Sequence, residues 1–193
     1  PPMEVGFVRN ALAMGWRSGF SAGGDDHTGH WGTEFLFSLG ETHYKQGLMS
    51  VQTPAKTREA IFEAMYQRRV IATSGGRMLL DYTVNGHPIG TEVSLGEDPT
   101  LKKARRINVT FHGTAPVDRV DIIRSGKTAH TVPGEGAMDL EFAWDDTESL
   151  DAIWMPPAKH CDHPFAYYYV RVIQSDGDVA WASPIWIDPD TSV

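Results

Sequence analysis

Residues 23–30 read Gly-Gly-Asp-Asp-His-Thr-Gly-His, which sets two carboxylates and two imidazoles in one short run. Asp25, Asp26, His27 and His30 offer oxygen and nitrogen ligands within six residues. In an extended segment Asp25 and His27 project to the same side, because side chains alternate along the chain. That pair suits a divalent metal such as zinc, manganese or iron. Gly23 and Gly24 let the chain turn sharply just before it. A strand end carrying such a turn is where parallel α/β folds place their sites. The competing reading is a polar turn in which Asp25 or Asp26 caps the backbone. Spacing alone leaves both open.

Other groupings carry less. His160, Cys161, Asp162 and His163 form a dense ligand-like run, but they follow Met155-Pro156-Pro157-Ala158-Lys159 and read as a surface loop. Tyr167, Tyr168 and Tyr169 resemble an aromatic binding platform. In an alternating strand, however, Tyr168 faces one side and its neighbours the other, which reads as core plus one cross-strand pair. Ser21 lacks the Gly-x-Ser-x-Gly surroundings of a serine hydrolase. His43, His87, His112 and His130 are scattered. Arg58 and Arg77 can face an anionic substrate from strand ends, and equally serve as helix-end and strand-edge charges.

The elements that must position these residues change character near residue 76. Before it, helical and strand-like pieces alternate. Glu4 to Met14 has helical spacing at Val5, Val8 and Leu12, with Trp16 extending the face and Gly15 as a stop. Ser18–Ala22 and Gly47–Val51 read as short strands. Thr57 is a good N-cap for the helix that follows, with Ile61, Ala64 and Met65 as its expected buried stripe. Val70–Thr73 is another short strand. Strand, helix, strand with short links predicts a parallel α/β arrangement.

From Arg77 onward the period is two. Met78, Leu80, Tyr82 and Val84 alternate with other residues, as do Ile107, Val109 and Phe111, then Met138, Leu140, Phe142 and Trp144, then Ala166, Tyr168, Val170 and Val172. Half-buried antiparallel strands produce this pattern. Asn85-Gly86, Ser125-Gly126 and Asp176-Gly177 are turn signals between them. The expectation is a two-part chain. Residues 1–76 form an α/β piece and residues 77–193 an all-β antiparallel, immunoglobulin-like sandwich.

Composition narrows the function classes. The chain has 193 residues and a net charge of −8, with 25 acids against 17 bases. That is unsuited to a duplex-binding surface, which needs concentrated Lys and Arg. One cysteine excludes an intrachain disulfide and a cysteine-based zinc knuckle, and suits a cytoplasmic compartment. No apolar run approaches the ~18 residues of a membrane span. Neither nucleic acid nor membrane is an expected partner.

Three stretches sharpen the picture: Ser21–Gly29 (SAGGDDHTG), the run from Gly47 through TREAIFEAM and ATSGGR to Gly90, and YYYVRVIQSDGDVAWASPIWID. Together they resemble the C-terminal part of a PHP-like (polymerase and histidinol phosphatase) metallohydrolase, of the carbaryl-hydrolase-like branch. The resemblance implies that residues 1–76 are the end of a distorted β/α barrel and that a β-sandwich follows. It implies that Asp25 and His27 are metal ligands, with Asp26, His30, Arg58 and Arg77 as further candidates. It also implies a parent enzyme that hydrolyses a small-molecule ester or phosphoester. The family's other ligands lie upstream of the part represented here, where only Pro1-Pro2-Met3 precede Glu4. The expectation is therefore a piece that is inactive by itself, holding a zinc, manganese or iron ion weakly or not at all. Its first helix, with Val8, Leu12 and Trp16, is expected to lack cover and to self-associate or dock on the sandwich. The alternative is a non-catalytic β-sandwich binding or scaffolding module.

Overall fold

The computed structural model describes residues 7–24, 35–36, 43–44 and 46–190. In chain order its elements are α1 (Val8–Ala13), a small pair β1 (Phe35–Leu36) and β2 (His43–Tyr44), β3 (Leu48–Val51), α2 (Arg58–Tyr66), β4 (Val70–Thr73), β5 (Leu79–Val84), β6 (His87–Pro88) and β7 (Glu92–Ser94). Then follow β8 (Arg105–His112), β9 (Val117–Arg124), β10 (Lys127–Pro133), β11 (Asp139–Asp146), α3 (Leu150–Ile153), β12 (Ala166–Gln174), β13 (Val179–Ala182) and β14 (Ile185–Asp188).

Period-two patterning becomes two facing sheets. The smaller has the order β11-β8-β5-β6. The larger runs β10-β9-β12-β13-β4-β3, with β14 paired to β12 and β7 paired to β14. Every pairing is antiparallel except β14 with β7. In β8 the inward residues Ile107, Val109 and Phe111 are buried and Arg106, Asn108, Thr110 and His112 are exposed. They meet Leu80, Tyr82 and Val84 of β5 and, across the gap, Val120, Ile122, Val170 and Val172 of the larger sheet. Tyr82 brings a hydroxyl into this core. It is satisfied because that hydroxyl lies 2.7 Å from the Tyr168 carbonyl and 3.0 Å from that of Ser183. The β5–β6 and β9–β10 turns have both central residues at positive φ, Asn85-Gly86 and Ser125-Gly126. This is the type I′ geometry that matches strand twist.

A second apolar cluster covers the outer face of the larger sheet. Leu12, Phe20, Phe165, Tyr167 and Trp186 are buried there, with Tyr169 and Trp181 packed against them. Tyr168 belongs to the inter-sheet core and Tyr167 to the outer cluster, as strand alternation requires. Leu12 of α1 is fully covered while Val8 and Trp16 stay half-exposed, so the first helix docks on the sandwich through one residue of its stripe. It ends at Gly15, whose φ is +84° and whose Cα is so near Cys161 that a Cβ would lie 2.7 Å from the Cys161 Cβ.

Three expectations are corrected. Ser18–Ala22 is not a strand: the Phe20 N–H donates to the Ser183 hydroxyl at 2.8 Å, a side-chain contact in place of a ladder. Val70–Thr73 is not part of a parallel unit. β3 pairs antiparallel with β4, Leu48 opposite Thr73 and Val51 opposite Val70, and β4 pairs antiparallel with β13. The chain turns back at Arg68, whose φ is +59°, so α2 is lodged inside a wide hairpin instead of a crossover. The expected division near Gly75-Gly76 thus falls where β3 and β4 are already hydrogen-bonded into the larger sheet. Finally, Ile61 and Met65 of α2 do not face inward; only Ala64 is buried.

Candidate functional site

The candidate ligands Asp25, Asp26, His27 and His30 lie outside the described residues. What is described is the ground on which that segment starts. Gly24 sits against Gln46: a Cβ on Gly24 would come within 2.3 Å of the Gln46 Cδ. A Cβ on Gly47 would lie 2.8 Å from the Ala22 Cβ and 3.1 Å from the Thr73 carbonyl oxygen. Gly47 is hemmed in by backbone atoms of Thr73 and Gly23 as well as by Ala22, and Gly24 by the Gln46 side chain. Residues 22–24, 46–47 and 73 therefore meet at one place, where β3 begins and β4 ends.

The loop leaving β4 is held firmly. The Thr73 hydroxyl donates to the Gly76 carbonyl at 2.8 Å. The Ser74 hydroxyl donates to Asp178 Oδ1 at 3.0 Å and accepts from the Val179 N–H at 2.9 Å. The Ser74 N–H donates to the Val179 carbonyl at 2.9 Å. Gly75 has φ +124°. Thr73-Ser74-Gly75-Gly76 is thus a rigid turn braced by the β12–β13 connection. It forms a fixed edge beside Gly24.

A cleft of about 660 Å³ is lined by Leu12, Phe20, Ala72, Tyr169 and Trp181 and reaches Ser21 and Ala22, just before Gly23-Gly24. Phe20 meets the Tyr169 ring edge-on with centroids 5.2 Å apart. Burial raises the Tyr169 phenol above its ordinary pKa, so it is a neutral hydroxyl at neutral pH. The cleft suits an apolar or aromatic group.

Arg58 and Arg77 are both on the surface. Arg58 is the exposed first residue of α2 and Arg77 is exposed just before β5. Neither lines the cleft.

The His160–His163 run is partly structural. Cys161 is buried, and its Sγ lies 3.5 Å from Arg17 Nη2 and 3.7 Å from His163 Nδ1. Arg17 donates to Asp188 Oδ1 at 2.6 Å and stacks over Phe165 and Trp186. A guanidinium at the centre of the group repels a cation, so the geometry is that of a staple between the N-terminal segment and β14. Among the described residues, no group of three or more His, Cys, Asp or Glu side chains is arranged to hold a metal ion.

Sequence reasoning missed the buried ionic centres. Arg105 is fully buried with Asp146, which accepts from the Tyr168 hydroxyl at 2.6 Å and from Arg124 at 2.7 Å. Burial pushes the Asp146 carboxyl up, but the hydrogen bonds from Tyr168 and Arg124 outweigh it and hold the group below the usual carboxylate range. Asp121 behaves alike, with Arg171 at 2.7 Å and the Thr131 hydroxyl at 2.8 Å. Both carboxylates join strands of the sandwich through these contacts. Strand alternation hinted at them: Arg105 occupies an inward position of β8.

The chain matches a family of proteins of unknown function, DUF3604, over residues 16–87. That span contains the Asp25–His30 segment, α2 and the Thr73–Gly76 turn. It is 36% identical over 183 residues to a protein of Chlamydia muridarum and 37% identical over 186 residues to one of Chlamydia pneumoniae, both described as uncharacterized. Each alignment covers 95% of this chain and 29% of the relative. The chain therefore spans less than a third of the length of the curated relatives it matches. No solved structure matches it.

Proposed function

We propose that this chain is the C-terminal portion of a PHP-like, metal-dependent hydrolase acting on a small-molecule ester or phosphoester. In this reading the segment that carries Asp25 and His27 joins a metal-binding β/α body formed mainly by the rest of a longer protein, while β3 and β4 belong to the sandwich. The observation that carries it is the Asp25-x-His27 pair following Gly23-Gly24, with Gly24 packed against the start of β3 beside the braced end of β4. Two protein ligands are too few for a catalytic ion, which takes about three plus an open position. Relatives more than three times as long as the matched span have ample sequence for the remainder.

Asp25 and His27 would hold a zinc, manganese or iron ion, with Asp26 and His30 as further donors. A bound divalent metal supplies a water acidified toward a pKa of about 7 and polarises the scissile carbonyl or phosphoryl group. The chain's own described residues contribute position. Thr73–Gly76 and Gln46-Gly47 fix where Gly24 sits, and the cleft lined by Phe20, Tyr169 and Trp181 offers an apolar wall to a substrate.

The test uses the longer protein. Metal content is measured after purification and after chelation and reloading, together with hydrolysis of a chromogenic aryl ester and a chromogenic phosphoester. Asp25→Ala and His27→Ala are expected to lower metal content and abolish turnover, while this chain alone shows no turnover. Full activity in the His27→Ala protein overturns the ligand assignment. A longer protein without metal or turnover favours the binding-module alternative.

A further inference from the structure

Helix α2 is built inside out. Its two alanines, Ala60 and Ala64, are one turn apart, and Ala64 is 4% exposed, facing the body. The opposite side carries Ile61, Phe62, Met65 and Tyr66, exposed to 36%, 69%, 45% and 75%. At 100° per residue these four span about 140° of the helix surface, and Arg58 falls within the same stripe. A helix with one apolar face normally turns that face to a core. Here the small residues face inward and the large ones outward.

The neighbouring strand tells the same story. β3, which α2 contacts, is the last strand of the larger sheet. Among the described residues no strand pairs with its outer edge, and neither Pro nor Lys, the usual means of blunting an edge, lies within Leu48–Val51. A helix with an outward apolar stripe, beside a sheet edge that no described strand covers, is a surface made to be covered.

We propose that the occupant is the rest of the longer polypeptide, packed against the Ile61-Phe62-Met65-Tyr66 face of α2. Two facts on the molecule favour it over a second copy. About seven-tenths of each relative's length lies outside the matched span. The DUF3604 match covers α2 and β3 together with the Asp25–His30 segment, and stops at residue 87, short of most of the sandwich.

The test places a photo-crosslinking benzoyl-phenylalanine at position 62 of the longer protein, where exposure of the ring leaves folding of this part undisturbed. Irradiation in dilute solution is expected to join position 62 to peptides from outside the region equivalent to this chain, within a single polypeptide. Cross-links confined to residues 1–193, or joining two copies, overturn the proposal. As an independent readout, amides of residues 58–66 should exchange at least ~10-fold more slowly in the longer protein than in this chain; equal rates count against docking. Cross-linking without metal or turnover leaves docking standing and overturns only the hydrolase reading. Metal and turnover without cross-linking do the reverse.

Discussion

Phe111 and Phe62 are the same residue type in opposite circumstances. Phe111 sits on β8, fully buried between two sheets that both belong to this chain. Phe62 sits on α2 and is 69% exposed. The inter-sheet core is self-sufficient: its apolar residues pack against one another, and the buried Arg105 and Asp121 find their counterparts in Asp146 and in the part-exposed Arg171. The α2 corner instead offers large apolar side chains that nothing described in this chain covers. Apolar patterning specifies a face, and only the sandwich also supplies what the face packs against.

Five measurements test this contrast. The largest expected effect is at the buried charges. Asp146→Ala leaves Arg105 unpaired in the core and should cost about 3–5 kcal/mol in urea unfolding, since an uncompensated buried charge is severe. A loss below about 1 kcal/mol would mean that Arg105 reaches water. Phe111→Ala comes next, at about 3 kcal/mol or more for a cavity between packed sheets. If it is mild, the inter-sheet core is looser than its burial indicates.

Acid should loosen the sandwich through Asp146 and Asp121. Burial raises both carboxyls and the hydrogen bonds from Tyr168, Arg124, Arg171 and Thr131 lower them further than burial raises them, so both fold with a pKa below the ordinary carboxylate value. The folded state then binds fewer protons than the unfolded one. The stabilisation is complete above pH ~4–5 and is lost as pH falls through the folded-state values. Chemical-denaturation midpoints from pH 6 to pH 3 should drop more steeply for the wild type than for Asp121→Asn. Parallel slopes would remove Asp121 from the account.

The α2 corner should respond weakly. Thr57 caps α2 by accepting from the Ala60 N–H at 3.2 Å, so Thr57→Ala should cost about 1 kcal/mol, visible as faster amide exchange in residues 58–66. Smallest of all, Phe62→Ala in this chain should change stability by less than about 0.5 kcal/mol. A large loss there would show that this chain itself buries Phe62, and the contrast with Phe111 would collapse.

Legibility followed the same division. The inward sets of β5, β8 and β12 were readable because a strand's period of two assigns faces without knowledge of the partner. The Asn85-Gly86 and Ser125-Gly126 turns were readable because positive φ selects their residue types. Ile61 and Met65 misled, because an amphipathic helix has the same pattern whichever body covers it. The direction of β4 also misled. Strand-helix-strand spacing fits a crossover and a hairpin with a helix in its loop equally well, and the turn at Arg68 decides between them. For the candidate site, sequence alone supplied the residue types Asp25 and His27. It carried no sign that Gln46, Ser74 and Asp178 brace the place where Gly24 lies, since those neighbours come from distant parts of the chain.

The sequence by itself determined which residues alternate, where the chain turns and which side chains are of a ligand type, because these depend on local chemistry and short-range geometry. Tertiary structure decided that β3 and β4 join the larger sheet antiparallel, that Arg105 enters the core, and that α2 turns its alanines inward. Each of those is a choice of partner. Partner choice depends on the free energy of packing distant segments together, which no local pattern encodes.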